Sequence, residues 1–301
     1  MKPTDLAAEL FITLRLKFFD TQLRPLPYTL RGKANTQDDP FDENLQRLLV
    51  SKLPQGIECI KATGPLITPD IVLQRRSICA GQPRSSLRAD TSRIIGLEMK
   101  KLERSPGGKV ARNTGLDYNT TPPCGTVRVY DEQENPLDVR GFYLFVCQEP
   151  SPGKPGNYFL SSLVLCDGNL LNEDFQYYLS IVGERKKRIG LGTFGDGADR
   201  CRPMLIFTNP LGCERLQQEP TLVHSTESLP AQAGTLRRIG QIRRRAKDGS
   251  TRLFHCFGLA SDCKGTPAEE IYDLADPFPT PQRSEKTQPR GRFKLDFRTT
   301  D

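Results

Sequence analysis

The amino-acid sequence predicts an α/β protein of the α+β kind: a mixed central sheet flanked by helices, with an added basic β-hairpin. Three observations carry that expectation. Apolar residues at helical spacing open the chain, first Leu6, Leu10, Leu14 and Phe18, then Leu45, Leu48 and Leu49. The middle of the chain holds short apolar runs at 67–74, 94–101, 141–148, 158–166 and 202–208, bounded by Gly, Pro and Asn. Late in the chain, Asp248-Gly249 separates two strand-like stretches, and Asp-Gly is a strong two-residue hairpin signal.

Taken in order, Thr4 or Asp5 caps a first helix running to about Asp20, and Arg24-Pro25-Leu26-Pro27 ends it. Asp38-Asp39-Pro40 opens a second helix, about 41–53. Residues 56–62 form a strand, Gly64-Pro65 a turn, and 67–74 the antiparallel partner. The Arg-, Ser-, Gly- and Pro-rich stretch 75–92 is a surface connection. The strand at 94–101 follows, and then 105–126, a turn-rich segment without helical or strand period. Phe142-Tyr-Leu-Phe-Val-Cys147 is nearly continuous in apolar residues, as a strand covered on both faces requires. A helix is expected at 172–185, a loose connection at 217–234, and a proline-rich tether at 277–288 before a short segment at 292–297. This gives one domain over 1–301: helices at about 4–53, a core at about 56–210 and a basic extension at about 217–301.

Composition narrows the class. With 301 residues, 36% hydrophobic and 26% charged, the chain can bury a full core, and no apolar run approaches a membrane span. The N-terminal residues carry an early acid and no apolar signal region, so a cytoplasmic protein is expected. Nine scattered cysteines without a Cys-x-x-Cys predict reduced thiols. His255-Cys256 with Cys263 lacks a fourth ligand and is expected to pack, not to bind zinc. Glycines at 190–197 resemble a nucleotide loop but lack the Lys-Ser/Thr that would complete it. The net charge is only +7, yet residues 234–252 hold seven basic residues against the single acid Asp248, a net of +6. Such a cluster favours polyanions through counterion release.

The chemistry concentrates in two runs, Ile67-Thr-Pro-Asp-Ile-Val-Leu73 and Ile94-Ile-Gly-Leu-Glu-Met-Lys-Lys101. Ionisable residues interrupt both where a buried strand should have none. Alternate side chains of a strand face the same way, so Glu98 and Lys100 share one face while Ile95, Leu97 and Met99 supply the buried one. Lys101 then points away from Lys100. Asp70 follows Pro69 at a strand start or bulge. Two carboxylates and a lysine two residues on can hold a divalent cation and a water beside a phosphate.

Pro69-Asp70 followed by Glu98-Met99-Lys100 resembles the PD-(D/E)XK signature of type II restriction endonucleases and related nucleases. The resemblance covers about residues 56–150. The acids stand 28 residues apart, long for that family, which implies an insertion between the two strands. Asp90 is a rival first acid, but only seven residues separate it from Glu98, too few for two strands and a turn. The resemblance implies a restriction-endonuclease-like fold and Mg²⁺-dependent, sequence-specific cleavage of double-stranded DNA by a homodimer. It makes Asp70, Glu98 and Lys100 catalytic, with Asp70, Glu98 and the Met99 carbonyl as metal ligands. It also implies that a preceding helix can lend an acid, for which Glu43 is the candidate, although a first-turn glutamate also suits the helix dipole.

DNA recognition is expected from the loop leaving the catalytic strand and from the basic hairpin. Arg104, Lys109 and Arg112 are donors, Asn113 and Asn119 two-way amides and Asp117 an acceptor for base edges. Arg243, Arg244 and Arg245 are expected on the phosphate backbone. A non-catalytic DNA-binding protein would need only the hairpin and leaves the acid–acid–lysine set unexplained. A triad hydrolase would have to use His224 or His255, and neither lies in a nucleophile context.

Overall fold

The computed structural model describes residues 3–34, 39–63, 67–79, 87, 90–103, 118–120, 125–131, 133–171, 205–207, 216, 219–245, 250–262, 270–273, 291–292 and 295. The expected helix at 172–185, the basic and glycine-rich stretch at 185–197 and the tether at 277–288 lie outside them.

Helix α1 (Leu6–Phe18) begins at the cap Asp5, whose Oδ1 accepts the Ala8 N–H at 3.0 Å. After the two-residue strand β1 (Tyr28–Thr29), helix α2 (Pro40–Lys52) begins at Asp39 with proline in its first turn, where a missing N–H costs nothing. Strands β2 (Glu58–Lys61), β3 (Ile67–Thr68) and β4 (Ile71–Gln74) follow, then the single helical turn α3 (Arg76–Cys79) and the ten-residue strand β5 (Ile94–Glu103). Next come β6 (Tyr118–Thr120), β7 (Thr126–Tyr130), β8 (Pro136–Pro150), β9 (Asn157–Asp167), β10 (Leu205–Phe207) and β11 (Thr221–His224). The chain continues through β12 (Leu236–Arg245), β13 (Thr251–Leu259), β14 (Glu270–Asp273) and β15 (Gly291–Arg292).

One 11-stranded sheet runs β14-β12-β13-β11-β9-β8-β5-β4-β2, with β1 paired to β9 and β7 to β8. It is mixed: β5–β8, β9–β11 and β12–β14 are parallel, and the remaining pairs antiparallel. The α+β class therefore holds. The hairpin 236–259 is not an appendage, since β13 pairs β11 inside the sheet.

Two apolar clusters cover the two faces of the strands that carry the site. The larger packs Leu6, Leu10, Leu14 and Phe18 of α1 and Leu45 and Leu49 of α2 against Ile71, Leu73, Ile95, Leu97, Phe142 and Leu144. The smaller joins Val72, Cys79, Leu87, Ile94, Val127, Val129 and Leu295. Alternation along β5 distributes its side chains between them as the sequence predicts: Ile95, Leu97 and Met99 to the helical side, Ile94 to the other.

Several expectations need correction. The run 67–74 is not one strand. It breaks at Pro69-Asp70, and Ile67-Thr68 pairs with Gly291–Arg292, while Ile71–Gln74 pairs with β2 and β5. Residues 75–92 are not a plain surface loop, because Cys79 and Leu87 are buried and the Arg75 guanidinium binds Thr4 and Ser92 carbonyls at 2.6 and 2.5 Å. The turn-rich stretch 105–126 contains β6, and β7 begins at its end. The loose connection 217–234 contains β11, whose four residues are all buried in the sheet.

Candidate active site

β4 and β5 run antiparallel, with Ile71 opposite Leu97. One further step in that register sets Asp70 across from Glu98. The ladder ends there, and the Asp70 carboxylate takes over the role of a backbone acceptor: its Oδ2 accepts the Met99 N–H at 2.7 Å. The Asp70 carbonyl accepts the Ala62 N–H at 2.9 Å. Asp70 is thus held through both its side chain and its backbone, and the residue is half-buried.

Gly96, two residues before Glu98 on the same face, lets the opposite wall close in. A Cβ there would lie 2.2 Å from Val127 Cγ2 and 3.1 Å from Pro69 Cγ, so only glycine admits both neighbours. Pro69 therefore rests on the strand that bears Glu98, immediately before Asp70.

Lys100 Nζ lies 3.0 Å from Glu98 Oε1, and both side chains are mostly buried, 18% and 14% exposed. The ammonium also sits 5.9 Å from the ring centroid of Tyr143, the residue paired with Glu98 on β8. Lys101 faces the other way, as expected. It binds Asp39 Oδ1 at 2.6 Å and Glu103 Oε1 at 2.9 Å, over the Phe41 ring. Burial disfavours its charge, but the two carboxylates outweigh that and raise its pKa.

The electrostatics of the acid pair are unfavourable without a cation. Burial raises the pKa of Asp70 well above the carboxylate range, and the Glu98 charge raises it further, against the opposing pull of Lys100 and the Met99 N–H. Glu98 Oε2 is buried and, among the described residues, has no hydrogen-bond partner. A buried carboxylate oxygen without a donor, beside a second acid, has the chemistry of a hard-cation ligand. Among the described residues no three His, Cys, Asp or Glu side chains converge as a ready-made metal cage. Asp70 and Glu98 with water and phosphate oxygens are what this donor set offers, which suits a cation that keeps several waters, as Mg²⁺ does.

On α2 the acid whose charge reaches Asp70 and Glu98 is Asp42, while Glu43 is held elsewhere. Glu43 is engaged by Arg31 at 2.8 Å and Arg47 at 3.8 Å. Asp42, one helical step round, has its pKa raised to about 7, first by burial, then by Asp39, with a further contribution from Glu98 against Lys101 and Lys61. Its charge in turn raises Asp70. Its sign can be checked in solution. The folded protein holds the Asp42 proton up to about pH 7, while an unfolded aspartate releases it near 4, so stability falls as pH rises through that window. The full shift corresponds to roughly 4 kcal/mol, and the exposed edge of Asp42 reduces this to about 2. Asp42→Asn should therefore lose about 2 kcal/mol less than the parent between pH 5 and pH 8 in chemical denaturation without metal. Equal losses would place Asp42 in water, away from the acid pair.

The alternatives are engaged elsewhere. Asp90 closes the turn into β5, accepting the Ser92 N–H at 3.0 Å and pairing with Arg93 at 2.9 Å. Glu58 binds Gln74 Nε2 at 2.9 Å on the outer strand pair. His224 is buried, its Nδ1 accepting the Thr226 N–H at 2.8 Å and its Nε2 3.5 Å from Asp5.

Of the expected DNA contacts, Arg104, Lys109, Arg112, Asn113 and Asp117 lie outside the described residues. Asn119 pairs with Ile206 between β6 and β10 through its backbone. Arg243, Arg244 and Arg245 all lie on β12, opposite Leu253, Arg252 and Thr251. They do not form a uniform solvated row. Arg243 and Arg252 are exposed, whereas Arg244 is 2% exposed. Strand alternation separates neighbouring arginines, so a basic run on a strand presents only alternate members to one side. No helix among the described residues is long and apolar enough to cross a membrane.

Neither a family model, nor a curated protein, nor a solved structure matches this chain.

Proposed function

We propose that this protein is a Mg²⁺-dependent endonuclease that cleaves double-stranded DNA at specific sequences, acting as a homodimer in the manner of the PD-(D/E)XK enzymes it resembles. The observation that carries the reading is the Asp70–Glu98 pair. Two acids held side by side, one of them with an orphaned oxygen, cost stability, and a fold retains such a cost where a bound cation offsets it.

Asp70 and Glu98 would hold the ion, with the Met99 carbonyl on the same stretch of β5 as a further oxygen. When bound, the ion neutralises negative charge on a phosphodiester and lowers the pKa of its water. The chain's own residues do the positioning. The Met99 N–H fixes the Asp70 carboxylate, and Glu98 Oε1 with the Tyr143 ring fixes the Lys100 ammonium. From there Lys100 donates to the scissile phosphate or orients the attacking water. Asp42, which holds its proton up to about pH 7, would add negative charge near the pair only above that pH. Arg243 and Arg252, at the exposed end of the hairpin, supply phosphate contacts away from the cut, and residues 104–119 the base contacts.

The deciding experiment is digestion of a supercoiled plasmid with the purified protein and Mg²⁺. Discrete bands that vanish in EDTA are expected. A smear would point to a nonspecific nuclease, nicking alone to a structure-specific or repair enzyme, and no cleavage with retained DNA binding to a non-catalytic binder.

A further inference from the structure

Asp70 is the least comfortable residue of the site, and what precedes it in the chain does not belong to its own sheet. Ile67 and Thr68 leave the 11-stranded sheet and pair in parallel with Gly291 and Arg292. Three residues further on, the Leu295 N–H donates to the Tyr130 carbonyl at 2.8 Å, at the end of β7. The Leu295 side chain is 2% exposed and shares its cluster with Val72, Ile94, Val127 and Val129. Val127 is the residue that Gly96 admits, and Pro69 lies against the same glycine. Two sets of contacts therefore reach the two sides of Asp70: Gly291 and Arg292 pair with Ile67 and Thr68, next to Pro69, and Leu295 shares a cluster with Val127 and Val72.

We propose that Gly291 and Arg292, paired with Ile67 and Thr68, and the buried Leu295 strap Asp70 in position, with Leu295 as a positioning residue for the site. The inference rests on Asp70 being a working residue of the proposed nuclease. Among the described residues the Asp70 carboxylate accepts the Met99 N–H and the Asp70 carbonyl accepts the Ala62 N–H. A side chain that has to keep one position is held there by neighbours that cannot relax. β4 is short, only Ile71–Gln74, and β2 beyond it is shorter than β5, so the sheet itself gives that bend little purchase. The strap supplies the missing side. A segment more than 200 residues downstream thus sets the geometry of the first acid.

The test is Leu295→Ala in the full chain, beside Leu295→Ile as the conservative variant and Leu14→Ala as a core loss on α1. Two readouts are taken. Amide hydrogen exchange at Met99, whose N–H holds Asp70, is measured without DNA or metal. Cleavage of plasmid DNA with Mg²⁺ gives kcat and KM separately. Leu295→Ala is expected to speed Met99 exchange about tenfold more than Leu14→Ala does. It is expected to lower kcat about tenfold with KM unchanged, and Leu295→Ile to restore most of both. Should Leu295→Ala fail to fold, Leu295→Val carries the same comparison. Met99 exchange no faster than in Leu14→Ala overturns the strap, and so does faster exchange with kcat intact. If the parent protein cleaves nothing, the nuclease reading falls, and the exchange at Met99 decides the strap alone.

Discussion

Asp70→Asn and Glu98→Gln are each expected to lower Mg²⁺-dependent cleavage by about three orders of magnitude or more, roughly 4 kcal/mol of transition-state stabilisation. Asp70→Asn should at the same time make the metal-free protein more stable. The asparagine Oδ1 can keep the 2.7 Å bond from the Met99 N–H, while the charge that burial and Glu98 disfavour is removed. Because the Asp70 pKa is raised, the folded state binds a proton that the unfolded state has released, and the resulting penalty is complete only above the folded pKa. The gain should therefore be larger at pH 8 than at pH 4, where it vanishes. An acid that served the fold would behave in the opposite way, losing stability when neutralised. Thermal denaturation at both pH values and plasmid digestion separate the cases. An Asp70→Asn protein that is less stable at pH 8, or that cleaves like the parent, would assign these acids to structure.

How much of this was legible in the sequence depends on how local each signal is. The caps Asp5 and Asp39 announce their helices within four residues, and both helices form where expected. The alternation of Ile94–Lys101 is equally local, and it separates Lys100 from Lys101 correctly. The hairpin rests on one dipeptide; its two strands do pair, but Arg245 lies opposite Thr251, one residue off the register that a two-residue Asp248-Gly249 turn requires. What escaped is set by partners distant in the chain. Thr221–His224 is four buried residues with no alternation, indistinguishable from a loop until β9 and β13 enclose it. Ile67-Thr68 looks continuous with Ile71–Gln74, and only pairing with Gly291–Arg292 separates them. Asp42 and Glu43 are neighbouring acids on one helical turn. Which one meets the site follows from the rotation of α2 that buries Phe41, Leu45 and Leu49, and Arg31 then claims Glu43. The burial of Arg244 between the exposed Arg243 and the end of the strand is of the same kind.

Lys100→Ala and Lys101→Ala, adjacent on β5, should fail in different assays. Among the described residues Lys100 meets Glu98 and the Tyr143 face, both part of the site. Removing it leaves Glu98 and Asp70 as two uncompensated acids, so cleavage should fall by about a thousandfold, with the fold kept and metal affinity unchanged or higher. Lys101 joins the cap of α2 to β5 through Asp39 at 2.6 Å and Glu103 at 2.9 Å, and covers the Phe41 ring at 5.6 Å. Both partner carboxylates are about one-third exposed, so water recovers part of what the lysine gave them. Lys101→Ala should cost about 1–2 kcal/mol of stability and leave kcat within about fivefold of the parent. The contrast is sharper than either value, because the two lysines are chemically identical and differ only in the face of the strand they occupy. Denaturant titration and single-turnover cleavage of both variants test it. A Lys101→Ala protein that is stable but inactive, beside an active Lys100→Ala, would reverse the face of β5 that carries the chemistry.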